Sequence, residues 1–160
     1  MYKSIASLIG LNLCIAFSPT PLSFIQPAHA GDASLSCQAT LRSVQAKLKQ
    51  QPNLNVISIN QRDLFQSHPN YPQGRPKEYV IALGGSQASN FLKSRQLMTT
   101  LATQIIRNCE TVSLVTFGTA NSGDVVNLGL MPNGSIQIFE CLEPGRDSPD
   151  RRVWGKVFCV

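Results

Sequence analysis

The chain has 160 residues, 14 lysines and arginines against 9 aspartates and glutamates, and a net charge of +5. Charged residues are only 14% of it and aromatic ones 7%, a balance that suits one ordinary folded core and excludes a highly charged disordered chain. The arginines of Glu143 to Arg152 are balanced by three acids and form no patch that grips a phosphate backbone, so no nucleic-acid partner is expected.

The first thirty residues have the form of an export signal. Lys3 provides a short positive start, Ile5 to Phe17 is apolar, and a proline-containing segment leads to the small-x-small pattern Ala28-His29-Ala30. A membrane anchor is the competing reading, but the apolar run falls short of the roughly 18–20 residues a span needs. Cys14 does not mark a lipoprotein, because Leu13 stands where a small residue would be required. The expected organisation is a signal peptide over 1–30, cleaved after Ala30, and one periplasmic or secreted domain over 31–160. No transmembrane segment is expected after cleavage. The remaining chain keeps every charge except that of Lys3, and it keeps Cys37, Cys109, Cys141 and Cys159. An even number of cysteines in an exported chain points to two disulfides. No C-x-x-C or close Cys/His pair points to a metal, and no cofactor is expected.

Cys37, Leu41, Val44 and Leu48 recur at helical spacing, which predicts a helix from about Ser34 or Ser36 that Pro52 ends. Asn55 to Asn60 alternates as a short strand. The segment after it carries Pro69, Pro72 and Pro76 and reads as surface loop, with His68 a solvated member. Tyr79 to Leu83 is a continuous apolar strand. The helix after Ser86 places Phe91, Met98, Leu101, Ala102, Ile105 and Ile106 on one face, and Val112 to Phe117 follows as a strand parallel to the first. Val125 to Met131 and Ser135 to Leu142 flank Pro132-Asn133-Gly134 as a hairpin, and a last strand runs from about Val153 to Cys159. The sequon Asn133-Gly134-Ser135 is better explained by that turn than by glycosylation. The expected fold is a two-layer α+β domain: a mixed, mostly antiparallel sheet of about five to six strands covered by two helices. With a rising Asn55 strand and a C-terminal meander, the expected pairings are Cys37 with Cys141 and Cys109 with Cys159.

Gly84-Gly85-Ser86-Gln87-Ala88 is a loosened nucleophile elbow, G-x-S-x-A, between a strand and a helix. It lacks the rest of a hydrolase. No histidine follows Ser86, no S-x-x-K occurs after Ala30, and Asp124, Asp147 and Asp150 are too scattered to define a carboxylate pair. Neither phosphate-loop pattern is present. Two readings of the corner remain: a weak anion site built from Gly84, Gly85 and Ser86 at a helix start, and a tight turn with Ser86 capping the helix.

Charge gives a second candidate. Glu143 to Arg152 balances three acids with three bases, whereas Arg42, Lys47 and Lys49 on the first helix and Lys93, Arg95 and Arg107 on the second have no acid inside the predicted helical segments. Two helices on one face of the sheet would present a basic outer surface to an anionic envelope surface or an acidic polysaccharide.

The stretches "RNCETVSLVTFG", "FECLEPG" and "WGKVFCV" resemble the ending of small exported cyanobacterial proteins of unknown function, loosely over Tyr79 to Val160. The resemblance implies an extracytoplasmic setting and carries over no catalytic or ligand residue. The expected function is therefore a non-enzymatic binding or envelope-associated module. The alternative is a small exported, hydrolase-like enzyme with its site at the Gly84–Ser86 corner.

Overall fold

A computed structural model describes residues 30–65, 67–120, 122–142 and 153–158, with side chains described from Ser34 onward. The signal segment, Glu143 to Arg152 and Cys159 lie outside the described residues. The architecture is α+β: a five-strand mixed, mostly antiparallel sheet packed against two helices.

The first helix, α1, spans Ala30–Lys49, starting several residues earlier than its apolar stripe requires. Val44 and Leu48 are fully buried, and Cys37 and Leu41 pack at the edge of the same core. Asn53, with φ of 56°, turns the chain beyond Pro52 in the left-handed conformation that asparagine tolerates better than most residues. Then comes β1 (Asn55–Asp63), three residues longer than its alternating segment.

The proline-rich loop leads to β2 (Lys77–Gly84), which pairs antiparallel with β1. The expected single long helix is two: α2 (Ala88–Lys93) and α3 (Arg95–Asn108), separated by Ser94 at φ −83° and ψ 74°. That ψ lies outside the helical range, so the axis is interrupted although the apolar residues stay on one face. From α3 the chain enters β3 (Val112–Thr119), parallel to β2 as the strand-helix-strand pattern predicts. The strands β4 (Val125–Leu130) and β5 (Ile136–Ile138) continue antiparallel across the Asn133-Gly134 turn, giving the order β1-β2-β3-β4-β5. In the turn, Asn133 Oδ1 accepts from the Ser135 N–H at 3.0 Å and from its hydroxyl at 2.7 Å, so this asparagine has a local structural role.

The end of the chain departs from the expected meander. The strand after the turn breaks at Phe139, and its last part, β6 (Glu140–Cys141), pairs parallel with β7 (Lys156–Val157) in a separate two-stranded sheet. Phe139 is the last residue still held to β4. Its N–H bonds to Asn127 O, and its ring lies where a side chain at Gly129 would stand: a Cβ there would be 2.2 Å from the ring.

The pleat divides the sheet into two faces. Tyr79, Ile81, Leu83, Val115, Phe117, Leu128 and Ile138 face the helices and meet Val44, Leu48, Met98, Leu101 and Ile105; Phe91 and Phe117 contact edge to face at 5.5 Å. The opposite face carries Leu114, which packs with Leu64, Phe139, Tyr71, Met131, Trp154 and Val157 in a second apolar cluster. The proline-rich segment is anchored here. Arg75 donates to Ile106 O and Val112 O, both at 2.8 Å, placing a guanidinium at the C-terminal end of α3 where its charge complements the helix dipole.

The cysteine pairing differs from the expectation. Cys37 is bonded to Cys109, with Cα atoms 4.7 Å apart. Because β1 runs antiparallel to β2 rather than parallel, the preceding helix is also reversed, and the start of α1 lies at the end of the sheet that α3 reaches. Cys141 is itself disulfide-bonded, and its partner lies outside the described residues. Neither expected pairing, Cys37 with Cys141 or Cys109 with Cys159, survives, because Cys37 and Cys109 occupy each other.

Candidate functional site

The Gly84–Ser86 corner is built as a joint. Gly85 has φ of 91°, and a Cβ on it would stand 2.3 Å from Asn53 O. The same Asn53 carbonyl accepts the Gln87 N–H at 3.2 Å, and the Ala88 N–H bonds back to Gly85 O. Two of the amides that a bound anion would use are thus engaged: Gln87 holds the α1–β1 turn against the β2–α2 turn, and Ala88 closes the latter on itself. Gln87, not Ser86, occupies the N-cap position, without a side-chain capping bond. A cavity of about 200 Å³ beside the corner is lined by Gln51, Pro52, Leu54, Gln87, Asn90, Phe91, Ser94 and Leu97, none of which ionises. That cavity therefore brings neither a proton carrier nor a cation to the corner.

The basic residues have a different setting. The helices α1 and α3 pack on the same face of the sheet and against each other, and Arg42, Lys47, Lys49, Lys93, Arg95 and Arg107 are all exposed. Lys47 donates to Gln104 across the helix pair at 3.0 Å, and Arg107 reaches Gly134 O at 3.3 Å. The ion pair of Lys77 with Asp63 lies on the strands, away from these six residues. The early start of α1 brings Asp32 into its first turn, so this helix does contain an acid. At about 1.5 Å per residue, Asp32 is roughly 15 Å along the axis from Arg42 and farther from the two lysines. That exceeds the ~8 Å screening length at physiological salt, so the basic end of the helix keeps its own field.

Two further cavities flank the sheet. One, of about 430 Å³, is lined by Ser34, Cys37, Gln38, Gln61, Tyr79, Cys109, Glu110 and Thr111. Burial raises the Tyr79 phenol above its ordinary value, and its oxygen receives Gln61 Nε2 at 3.4 Å and lies 3.8 Å from Cys37 Sγ. With both sulfurs in the disulfide, this cavity offers no thiolate nucleophile.

The other cavity, of about 380 Å³, lies on the face opposite the helices, between the proline-rich loop, β4 and β7. His68 lines it, and is no solvated loop residue: it is half-buried, with its ring edge-on to Phe139 at 5.6 Å and to Trp154 at 5.8 Å. Its placement follows from the loop's own hydrogen bonds, His68 N–H to Leu64 O at 2.8 Å and Ser67 Oγ to the same carbonyl at 3.4 Å. Asn127 and Lys156 line the same cavity. Nothing in the sequence marked these three as neighbours, since they come from a loop, a hairpin strand and the C-terminal strand.

Among the described residues no three His, Cys, Asp or Glu side chains gather as a metal site, and no helix is long and apolar enough to cross a membrane. No protein-family model matches the chain, no curated protein matches it, and no solved structure matches its fold.

Proposed function

We propose that the protein is an exported, non-enzymatic binding module that meets an anionic envelope surface or an acidic polysaccharide through the outer side of its helical layer. The observation that carries this reading is the joint exposure of Arg42, Lys47, Lys49, Lys93, Arg95 and Arg107 on helices that cover one face of the sheet. Such a surface concentrates positive potential on one side of the molecule and attracts polyanions over a Debye length without needing a shaped pocket. The disulfide joining α1 to the residue after α3 suits an extracytoplasmic domain and fixes the two helices that carry the charge.

Sedimentation with anionic vesicles, or retention on an acidic glycan resin, tests the proposal at low and high salt. Binding should be lost near 1 M salt, where the screening length falls to about 3 Å. The combined variant Lys49→Glu, Arg107→Glu should abolish low-salt binding while leaving the fold intact, because both side chains are exposed. Binding that survives both salt and charge reversal would overturn the assignment to the helical face. The export step has its own measurement: the N-terminus of the mature form should be Gly31, and a mature form that retains Met1 and stays inside the cell would remove the extracytoplasmic part of the proposal.

The enzyme alternative is decided at Ser86. A serine-directed phosphonate should leave it unlabelled, and stoichiometric labelling abolished by Ser86→Ala would reinstate a hydrolase at the corner.

A further inference from the structure

We propose that the cavity beside the α2–α3 break is a socket for the acetamido group of an N-acetylated amino sugar, so that the acidic polysaccharide met by the helical layer is one whose repeat contains such a sugar. The inference rests on the reading above for the charge of the polymer, and on the cavity alone for the acetamido group.

The socket lies where two helices stop. Pro52 follows the end of α1, and Ser94, outside the helical range, interrupts the axis between α2 and α3; both line the space. Its volume of about 200 Å³ is below the roughly 300–1,000 Å³ of sites that enclose a whole small molecule. A space of that size takes one substituent of a larger ligand.

The lining states what the substituent must be. Leu54 and Phe91 are buried and, with Leu97, supply an apolar floor for a methyl group. Beside them Asn90 Nδ2 donates to Gln87 Oε1 at 2.9 Å, which engages one half of each carboxamide. The halves left over are the Gln87 nitrogen, a donor, and the Asn90 oxygen, an acceptor, and among the described residues neither has another partner. A secondary amide presents the complementary pair, a carbonyl that accepts and an N–H that donates. No lining residue ionises, so a charged group entering the socket would lose water without gaining a counter-ion. The backbone around it is already fixed: the Gln87 N–H is held by Asn53 O, the Phe91 N–H by Gln87 O at 2.9 Å, and the Phe91 ring by Phe117.

The charges stand just outside the lining. Lys93 and Arg95 are the chain neighbours of Ser94, Lys49 precedes Gln51 by two residues, and all three are exposed. A neutral socket bordered along the chain by three cations suits a polymer that alternates an acetamido sugar with an acidic one.

The probes are oligosaccharides of hyaluronan, which alternates N-acetylglucosamine with glucuronate, and of polygalacturonate, matched in number of carboxylates but without acetamido groups. Titrated into the purified protein at low salt, the hyaluronan oligosaccharide should bind at least tenfold more tightly. N-acetylglucosamine alone should shift the amide signals of Phe91, Leu97 and the Asn90 side chain saturably, and glucose should not. Gln87→Leu with Asn90→Leu, both exposed, should bring hyaluronan down to the affinity of polygalacturonate and leave the latter unchanged. Should that variant fail to fold, the two pairs of sugars on the unaltered protein still decide. Equal affinity for the two oligosaccharides, or no difference between N-acetylglucosamine and glucose, overturns the socket and leaves the polyanion reading standing. The variant Lys49→Glu, Arg107→Glu should lose both oligosaccharides and keep the N-acetylglucosamine shifts. Absence of binding to either oligosaccharide by the unaltered protein, with those shifts present, overturns the polyanion reading and keeps the socket.

Discussion

Three residues carry constraints that a substitution can measure. Gly85 combines a positive φ of 91° with a backbone neighbour 2.3 Å from any Cβ, so Gly85→Ala must both strain the chain and displace the Asn53 carbonyl. A loss of roughly 1–3 kcal/mol is expected from the strain alone, read from urea denaturation. At Gly129 the obstacle is the Phe139 ring, and Gly129→Ala should cost about 1–3 kcal/mol by overpacking. Since Phe139 also backs His68, the same variant should shift the His68 ring signals. Glu78 is 8% exposed on the sheet face opposite the helices. Burial raises its carboxyl above the ordinary 4.5, partly opposed by the Arg62 guanidinium. A raised folded-state value means that the native protein holds this proton more tightly than the unfolded chain does. Its contribution is therefore fully present below 4.5 and is lost as pH rises through the folded-state value. Glu78→Gln should be more stable than the unaltered protein at pH 7, with the difference disappearing at low pH. Thermal melts across that window check the sign.

At the scale of elements, two local breaks redirect the chain. Ser94 divides the expected long helix, yet Phe91 and Leu101 keep their faces because both pieces rest on the same sheet. The break at Phe139 matters more. It ends the hairpin after three paired residues and sends Glu140–Cys141 to a parallel partner, carrying Lys156 to the cavity edge. Disulfide mapping reads this topology chemically. Non-reducing peptide maps should contain Cys37 linked to Cys109. Cys141 is bonded to neither of them, so in a chain beginning at Gly31 its linked peptide should contain Cys159, the one cysteine left. A Cys37–Cys141 peptide would contradict the antiparallel β1–β2 pairing as well as the bond.

Taken whole, the molecule is a sheet with two unlike sides. One side is a large apolar core roofed by helices that expose Arg42, Lys47, Lys49, Lys93, Arg95 and Arg107; the other is a smaller aromatic cluster bordering a cavity lined by His68, Asn127 and Lys156. The Cys37–Cys109 bond spans 72 residues of sequence and ties the first helix to the point where α3 enters β3. Cys37→Ser with Cys109→Ser should lower stability by roughly 2–4 kcal/mol, measured by denaturation. It should weaken polyanion binding only where α1 detaches.

The periodic segments were legible without the fold: α1, the strand-helix-strand unit and the Asn133-Gly134 hairpin each follow from local spacing and turn chemistry, and the two-layer α+β class follows from their order. Helical and strand periods are properties of neighbouring residues, which is why Val44, Leu48, Met98, Leu101 and Ile105 were assignable to the core from the chain alone. The exposed lysines and arginines of the helices were readable for the same reason, as residues off the apolar stripe. Strand direction was not. Whether β1 runs with or against β2 depends on how a proline-rich loop is folded, through bonds such as Arg75 to Ile106 O and Val112 O that link distant segments. On that one direction turned the pairing of Cys37. The meeting of His68, Asn127 and Lys156 was equally beyond local pattern, because it required Glu140 and Cys141 to leave the hairpin and pair with Lys156 and Val157, a pairing choice that only the tertiary structure makes.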